Sequence, residues 1–197
     1  MMNWLNNRIE QASWRAYLVW MLLFIGYEFI VFSLPGPWIN LIEATANGGN
    51  RPILPDLLFG IHQDQPAKAF AMLGSSMNDY LIFNALDLPY AFFSTMAAIT
   101  ILALTLKHFA WRSNWLRGIL MIPALYFVAE LFENTLIVSM ALEWLPREGI
   151  TATVQQVITT LKISTNGICA VVGGFALIVT IIHIALKYWR ARTNQSV

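Results

Sequence analysis

Cysteine is almost missing from this 197-residue chain: Cys169 stands alone. An intramolecular disulfide is therefore impossible, and cysteine-ligated metal sites are excluded in practice. Cys169 lies in an apolar run and reads as a small lipid- or core-facing residue. Charge is scarce too, at 12% of residues. A soluble domain carries about twice that share. Net charge is only +1 and no run of basic residues occurs, so nothing recruits nucleic acid. Zinc-ligand spacings and cofactor-binding motifs are absent, and no cofactor is expected. His62, His108 and His183 are too scattered for a shared metal site. No internal repeat or low-complexity tract stands out.

What the chain has is apolar length, with 57% hydrophobic residues. A spanning helix needs about 20 mostly apolar residues. Four stretches meet that need, at about residues 16–34, 81–106, 118–142 and 166–186. The expected fold is all-α: one integral-membrane domain over residues 1–197, a four-helix bundle embedded in the lipid bilayer. Residues 1–15 carry Trp4, Arg8, Trp14 and Arg15 and read as a short interfacial helix. Val31-Phe32-Ser33 weakly imitates a signal-peptide cleavage site. The first span is long for a signal core and contains Glu28, which favours its retention.

Residues 35–80 form the longest segment outside the spans, punctuated by Gly48, Gly49, Pro52 and Pro55. Asp64 is a candidate N-cap, with Pro66 in the first turn of an amphipathic helix over residues 67–81. Pro89 removes a backbone donor early in the second span, so a kink or a fresh helix start is expected there. The stretch 151–165 reads as a polar helical approach to the fourth span, with Lys162 just before Asn166. Eight of the twelve Lys and Arg residues lie at the N-terminus, in the 107–117 loop and at the C-terminus. The positive-inside rule then places both termini in the cytoplasm and residues 35–80 outside.

Ionisable residues at mid-membrane are expensive, at about 2.5 kcal/mol or more each, and face a bundle interior or cavity. The third span holds Glu130, Glu133 and Asn134. Spacings of three and four put them on one helical face, continued backwards by Tyr126. Glu133 and Asn134 lie about 4.5–6 Å further along the axis than Glu130. The topology sets Glu28 and Asp87 in the same half of the bilayer. A pocket lined by Glu28, Asp87, Glu130, Glu133 and Asn134 is expected, opening outward beneath residues 35–80. Two carboxylates this close cannot both keep their charge in a low dielectric unless a cation sits beside them. Such a pair suits proton transfer, with Glu130 and Glu133 as acid and base. It equally suits a proton relay or cation site, or simple hydrogen bonding between helices.

Three motifs add a resemblance. Pro55-Asp56-Leu57-Leu58-Phe59-Gly60, Leu86-Asp87-Leu88-Pro89-Tyr90, and Pro123 followed by Glu130-Leu131-Phe132-Glu133-Asn134 resemble the pattern of a family of small four-span bacterial membrane proteins without assigned activity. This chain has Glu130 where that family usually has Asp. The resemblance spans roughly residues 16–187. It implies a location in the bacterial inner membrane and adds Asp56 to the candidate site. At the level of fold alone, the chain is also similar to the EXPERA group of four-helix membrane proteins. Fold does not fix function. Three readings stay open: an intramembrane binder or enzyme for a lipophilic small molecule, an accessory partner of another membrane protein, and a proton- or cation-coupled carrier.

Overall fold

The computed structural model describes residues 2–33, 54–61, 65–109 and 114–193. Those residues form helices and turns, with no strand among them. Helix α1, Met2–Gln11, precedes α2, Trp14–Glu28, which runs on into a π-turn at Phe29–Ser33. A 3-10 turn at Pro55–Leu57 leads to α3, Gln65–Leu73, and a second 3-10 turn at Gly74–Ser76 joins α3 to α4, Met77–His108. Short α5, Asn114–Gly118, precedes α6, Met121–Ala141, and α7, Gly149–Thr193, closes the described chain. Four helical stretches are long and apolar enough to cross a membrane, containing α2, α4, α6 and α7. The proposed N-cap Asp64 lies outside the described residues.

Helices α4, α6 and α7 pack against one another, while α2 packs chiefly along α4. The least enclosed span is therefore the first. Leu18, Leu22, Ile25 and Ile30 turn outward along it. Two apolar clusters bracket the bundle. At the α1 end, Leu5, Ala12 and Tyr17 pack with Leu102, Leu106, Leu120 and Ala176. At the opposite, loop end, Leu54, Phe70, Leu73 and Tyr80 pack with Ile137, Met140 and Ala152.

Helix α1 does more than rest at an interface. Its Leu5, and Ala12 just past its end, are buried against the bundle. Lys107 Nζ donates to the carbonyls of Glu10 and Ala12 at 2.8 and 3.0 Å, placing a cation at the carbonyl end of the helix where the dipole favours one. Arg117 Nη1 donates to Asn6 Oδ1 at 2.8 Å. At the loop end, Arg147 does a similar task for α6. It donates to the carbonyls of Met140 and Ala141 at 3.0 and 3.1 Å and lies over the Phe70 ring.

Two helices bear on the sequence reading of the spans. The polar approach 151–165 and the fourth apolar stretch form one helix: α7 is continuous from Gly149, about 68 Å at 1.5 Å per residue, because no Pro interrupts it and one polar face of its first half is buried. Helix α4 runs through Pro89 without a fresh start. Proline interrupts one bond of the ladder, and the flanking turns keep theirs.

Candidate functional site

Three helices each present a polar stripe at helical spacing. Tyr80, Asn84 and Asp87 lie along α4, at i, i+4 and i+7. Tyr126, Glu130, Glu133 and Asn134 lie along α6. Gln155, Thr159, Lys162 and Asn166 lie along α7. The stripes converge between the two apolar clusters. Glu130 and Glu133 are 1% and 0% exposed. Asn84, Asn134, Gln155, Thr159 and Lys162 are buried as well.

Lys162 is the centre of this layer. Its ammonium pairs with Glu133 Oε2 and lies 3.6 Å from Glu130 Oε1. The cation that the two glutamates require comes from the chain itself. Thr159 Oγ1 donates to the other oxygen of Glu133, and Gln155 Nε2 donates to Thr159 Oγ1 at 2.8 Å. Glu133 is thereby held on both oxygens. Glu130 also lies within electrostatic range of Asp87. Asn134 Nδ2 reaches the carbonyl of Asn84 at 3.5 Å. Glu130 and Lys162 lie about 17 and 20 Å along α6 and α7 from the loop ends of those helices, at 1.5 Å per residue.

The segment around the first motif closes this layer at the loop end. Pro55 opens the 3-10 turn from an extended Leu54, which orients buried Asp56 inward. The Tyr80 hydroxyl donates to Asp56 Oδ1 at 2.8 Å. Gln155 Nε2 also donates to the Pro55 carbonyl, at 3.0 Å. Gly60 has φ 93°, a conformation costly for other residues. Its N–H donates to Thr160 Oγ1 at 3.0 Å. Among the described residues, Leu54, Pro55 and the Phe70–Leu73 cluster pack at the loop end of this layer; the rest of the 35–80 segment, beneath which the sequence expects an opening, lies largely outside the described residues.

A cavity of about 270 Å³ sits on the α1 side of the layer, where α2 stands off from α6 and α7. Met21 and Phe24 of α2, Ala98 and Ile101 of α4, and Cys169 and Gly173 of α7 give it apolar walls. Its polar lining includes Tyr126 and Asn166. Tyr126 is one helical turn from Glu130, and Asn166 is one turn from Lys162. Asn166, Ala170 and Gly174 line the cavity and are also exposed at the surface of α7, so the cavity opens sideways.

Of the residues singled out from sequence, the structure brings together Asp56, Asp87, Glu130, Glu133 and Asn134, with Tyr126 between the layer and the cavity. Glu28 is not part of the group. It is exposed at the end of α2, within electrostatic range of Tyr90. Sequence reasoning missed Lys162, Gln155, Thr159, Asn84 and Tyr80. The signal was present, because 155, 159, 162 and 166 share one helical face. Reading residues 151–165 apart from the apolar stretch that follows them hid it.

Glu130 and Glu133 meet the Lys162 ammonium, with Asp56 and Asp87 in electrostatic range of it, and three amide oxygens here, Asn84 Oδ1, Asn134 Oδ1 and Gln155 Oε1, are buried without a hydrogen-bond partner. The layer is rich in acceptors and poor in donors. Among the described residues no three His, Cys, Asp or Glu side chains are grouped to hold a metal ion. Chemically, the arrangement fixes Glu133 through Lys162 and Thr159 and sets Glu130 and Asp87 within electrostatic range of each other. No family model matches this chain, and neither a curated protein nor a solved structure shows significant similarity to it.

Proposed function

We propose that this chain is a multi-pass membrane protein that binds a small lipophilic molecule in the sideways-opening cavity, with the acid–lysine layer as its polar, proton-exchanging end. One observation carries this reading: Tyr126 and Asn166, which line the cavity, stand one helical turn from Glu130 and Lys162 of the layer. Small-molecule sites are mostly apolar clefts of about 300–1,000 Å³ with a few placed polar groups. The present cavity, at about 270 Å³, suits a compact lipophile or one end of a longer chain. Glu130 and Asp87 are the groups for proton transfer, and Glu133 is held in place by Lys162. Asn134 and Asp56 support the layer from its far side.

In this reading the loop end faces outward and both termini are cytoplasmic. Lys162 is buried in an ion pair, so it does not count among the loop-end charges. Only Arg51, Lys68 and Arg147 remain there, which sharpens the positive-inside asymmetry. The family resemblance of the Pro55–Gly60, Leu86–Tyr90 and Glu130–Asn134 motifs supports a bacterial inner-membrane setting. The alternative of an accessory subunit draws on the open outer face of α2, which leaves room for a partner helix.

Native mass spectrometry of protein released gently from membranes tests the proposal. A discrete lipophilic adduct on the wild type, lost in Ala170→Trp, is the expected result. An adduct-free wild type that carries a stoichiometric protein instead would overturn it in favour of the accessory reading.

A further inference from the structure

We propose that the cavity takes a neutral molecule carrying a carbonyl or hydroxyl oxygen, held by hydrogen bonds from Tyr126 and Thr95, and discriminates against ionised head groups of either sign. This rests on the proposed function and adds the chemical class of the ligand.

Two hydroxyls on the cavity wall are poorly satisfied by the protein. Tyr126 on α6 is 5% exposed and lines the cavity. Its hydroxyl has no hydrogen-bond partner among the described residues. A tyrosine at a membrane surface turns its hydroxyl to water, but Tyr126 is enclosed within the bundle. Thr95 on α4 is also buried and lines the same cavity. Other hydroxyls of α4 are satisfied inside their own helix. Ser94 donates to the Ala91 carbonyl at 3.0 Å and Thr100 to the Met96 carbonyl at 2.7 Å. Thr95 instead reaches across to the Pro123 carbonyl at 3.5 Å, well beyond the roughly 2.7–2.8 Å usual for such a bond. Tyr126 follows Pro123 by three residues, so the two hydroxyls come from adjoining parts of the wall. Buried donors without good partners are unfavourable, and an oxygen on the occupant relieves both.

Charge is missing from the same wall. No Asp, Glu, Lys, Arg or His is among the described residues that line the cavity. An ionised head group would shed its water there and meet no counter-charge, which is strongly unfavourable. The opening at Asn166, Ala170 and Gly174 faces sideways, toward the lipid of the proposed membrane setting. A neutral lipophile dissolved among the lipid chains reaches that opening directly, whereas an ionised amphiphile keeps its head in the interface.

Equilibrium binding of tritiated probes to the full chain in mild detergent, read by scintillation proximity, tests this. The probes are 2-decanone, decane as an apolar control, and the ionised decylammonium and decanesulfonate. Wild-type protein should bind 2-decanone about tenfold or more tighter than either ion. Tyr126→Phe should weaken 2-decanone by about three- to tenfold, the worth of one hydrogen bond, and leave decane unchanged. Its unliganded melting temperature should match that of the wild type, because the lost hydroxyl has no partner in the protein. Thr95→Val should weaken 2-decanone in the same selective way, and decides the matter if Tyr126→Phe fails to fold. Wild-type affinity for 2-decanone in both variants would leave these hydroxyls to water and overturn the inference. Equal losses of 2-decanone and decane would reduce the two residues to packing and overturn it too. Either ion binding as tightly as 2-decanone would do the same while leaving the cavity as a lipophile site. Binding of none of the four probes would overturn both this inference and the proposed function.

Discussion

The Tyr80 hydroxyl donates a 2.8 Å hydrogen bond to Asp56 Oδ1, and this contact fastens the segment outside the spans to the polar layer inside them. Both residues are buried. Tyr80→Phe leaves a buried carboxyl oxygen without its donor, a loss of about 1–3 kcal/mol. Unfolding in detergent should register that loss. The change should also expose the layer, so a water-soluble carbodiimide should modify Glu133 faster in Tyr80→Phe than in the wild type. An unchanged modification rate would show that residues 54–60 do not seal the layer.

The half of the bundle near α1 has its own polar link. Thr105 Oγ1 lies 2.9 Å from Thr180 Oγ1 and also donates to the Ile101 carbonyl at 2.9 Å. Hydrogen bonds between membrane helices average about 0.6 kcal/mol and reach about 1.7 kcal/mol. Thr180→Val should therefore lower stability by an amount in that range and leave ligand retention intact. A larger loss, or loss of the adduct, would mean that the two halves of the bundle are coupled.

Orientation can be read with single cysteines in a Cys169→Ala background. His108 and Glu148 are exposed at opposite ends of the bundle. A membrane-impermeant maleimide applied from outside should label Glu148→Cys and spare His108→Cys until the cells are opened. The reverse pattern would invert the topology.

Filling the cavity is the test of where a ligand sits. Ala170 has room beside it on α7 and faces the opening. Ala170→Trp should abolish lipophile retention with little change in stability, within about 1–3 kcal/mol for an added side chain.

Much of this architecture was legible in the sequence, because long apolar runs leave a chain few alternatives. The four spans and the shared face of Tyr126, Glu130, Glu133 and Asn134 follow from hydropathy and a period of 3.6. Lys162 was not legible in the same way. Its neighbours 151–165 look solvated when read as a separate polar approach, and only the continuity of α7 carries them inside. Glu28 illustrates the opposite error. Depth alone placed it beside the other acids, but the direction of its side chain depends on how α2 is rotated, which its nearly uniform apolar sequence does not specify. The cavity was invisible for a similar reason, since it comes from α2 standing off from α6 and α7 rather than from any one residue.

The account stands on Lys162 and Glu133 closing the polar faces of α6 and α7 into one charged site. A double-mutant cycle tests this most directly, read as unfolding free energy in a mild detergent. Lys162→Met alone leaves two buried glutamates without their cation and should lose about 3–5 kcal/mol. Lys162→Met combined with Glu133→Gln should recover a large part of that loss, since the stranded charge is gone. If the two substitutions instead add independently, within about 0.5 kcal/mol, the pair is not coupled and the site described here does not exist in the membrane.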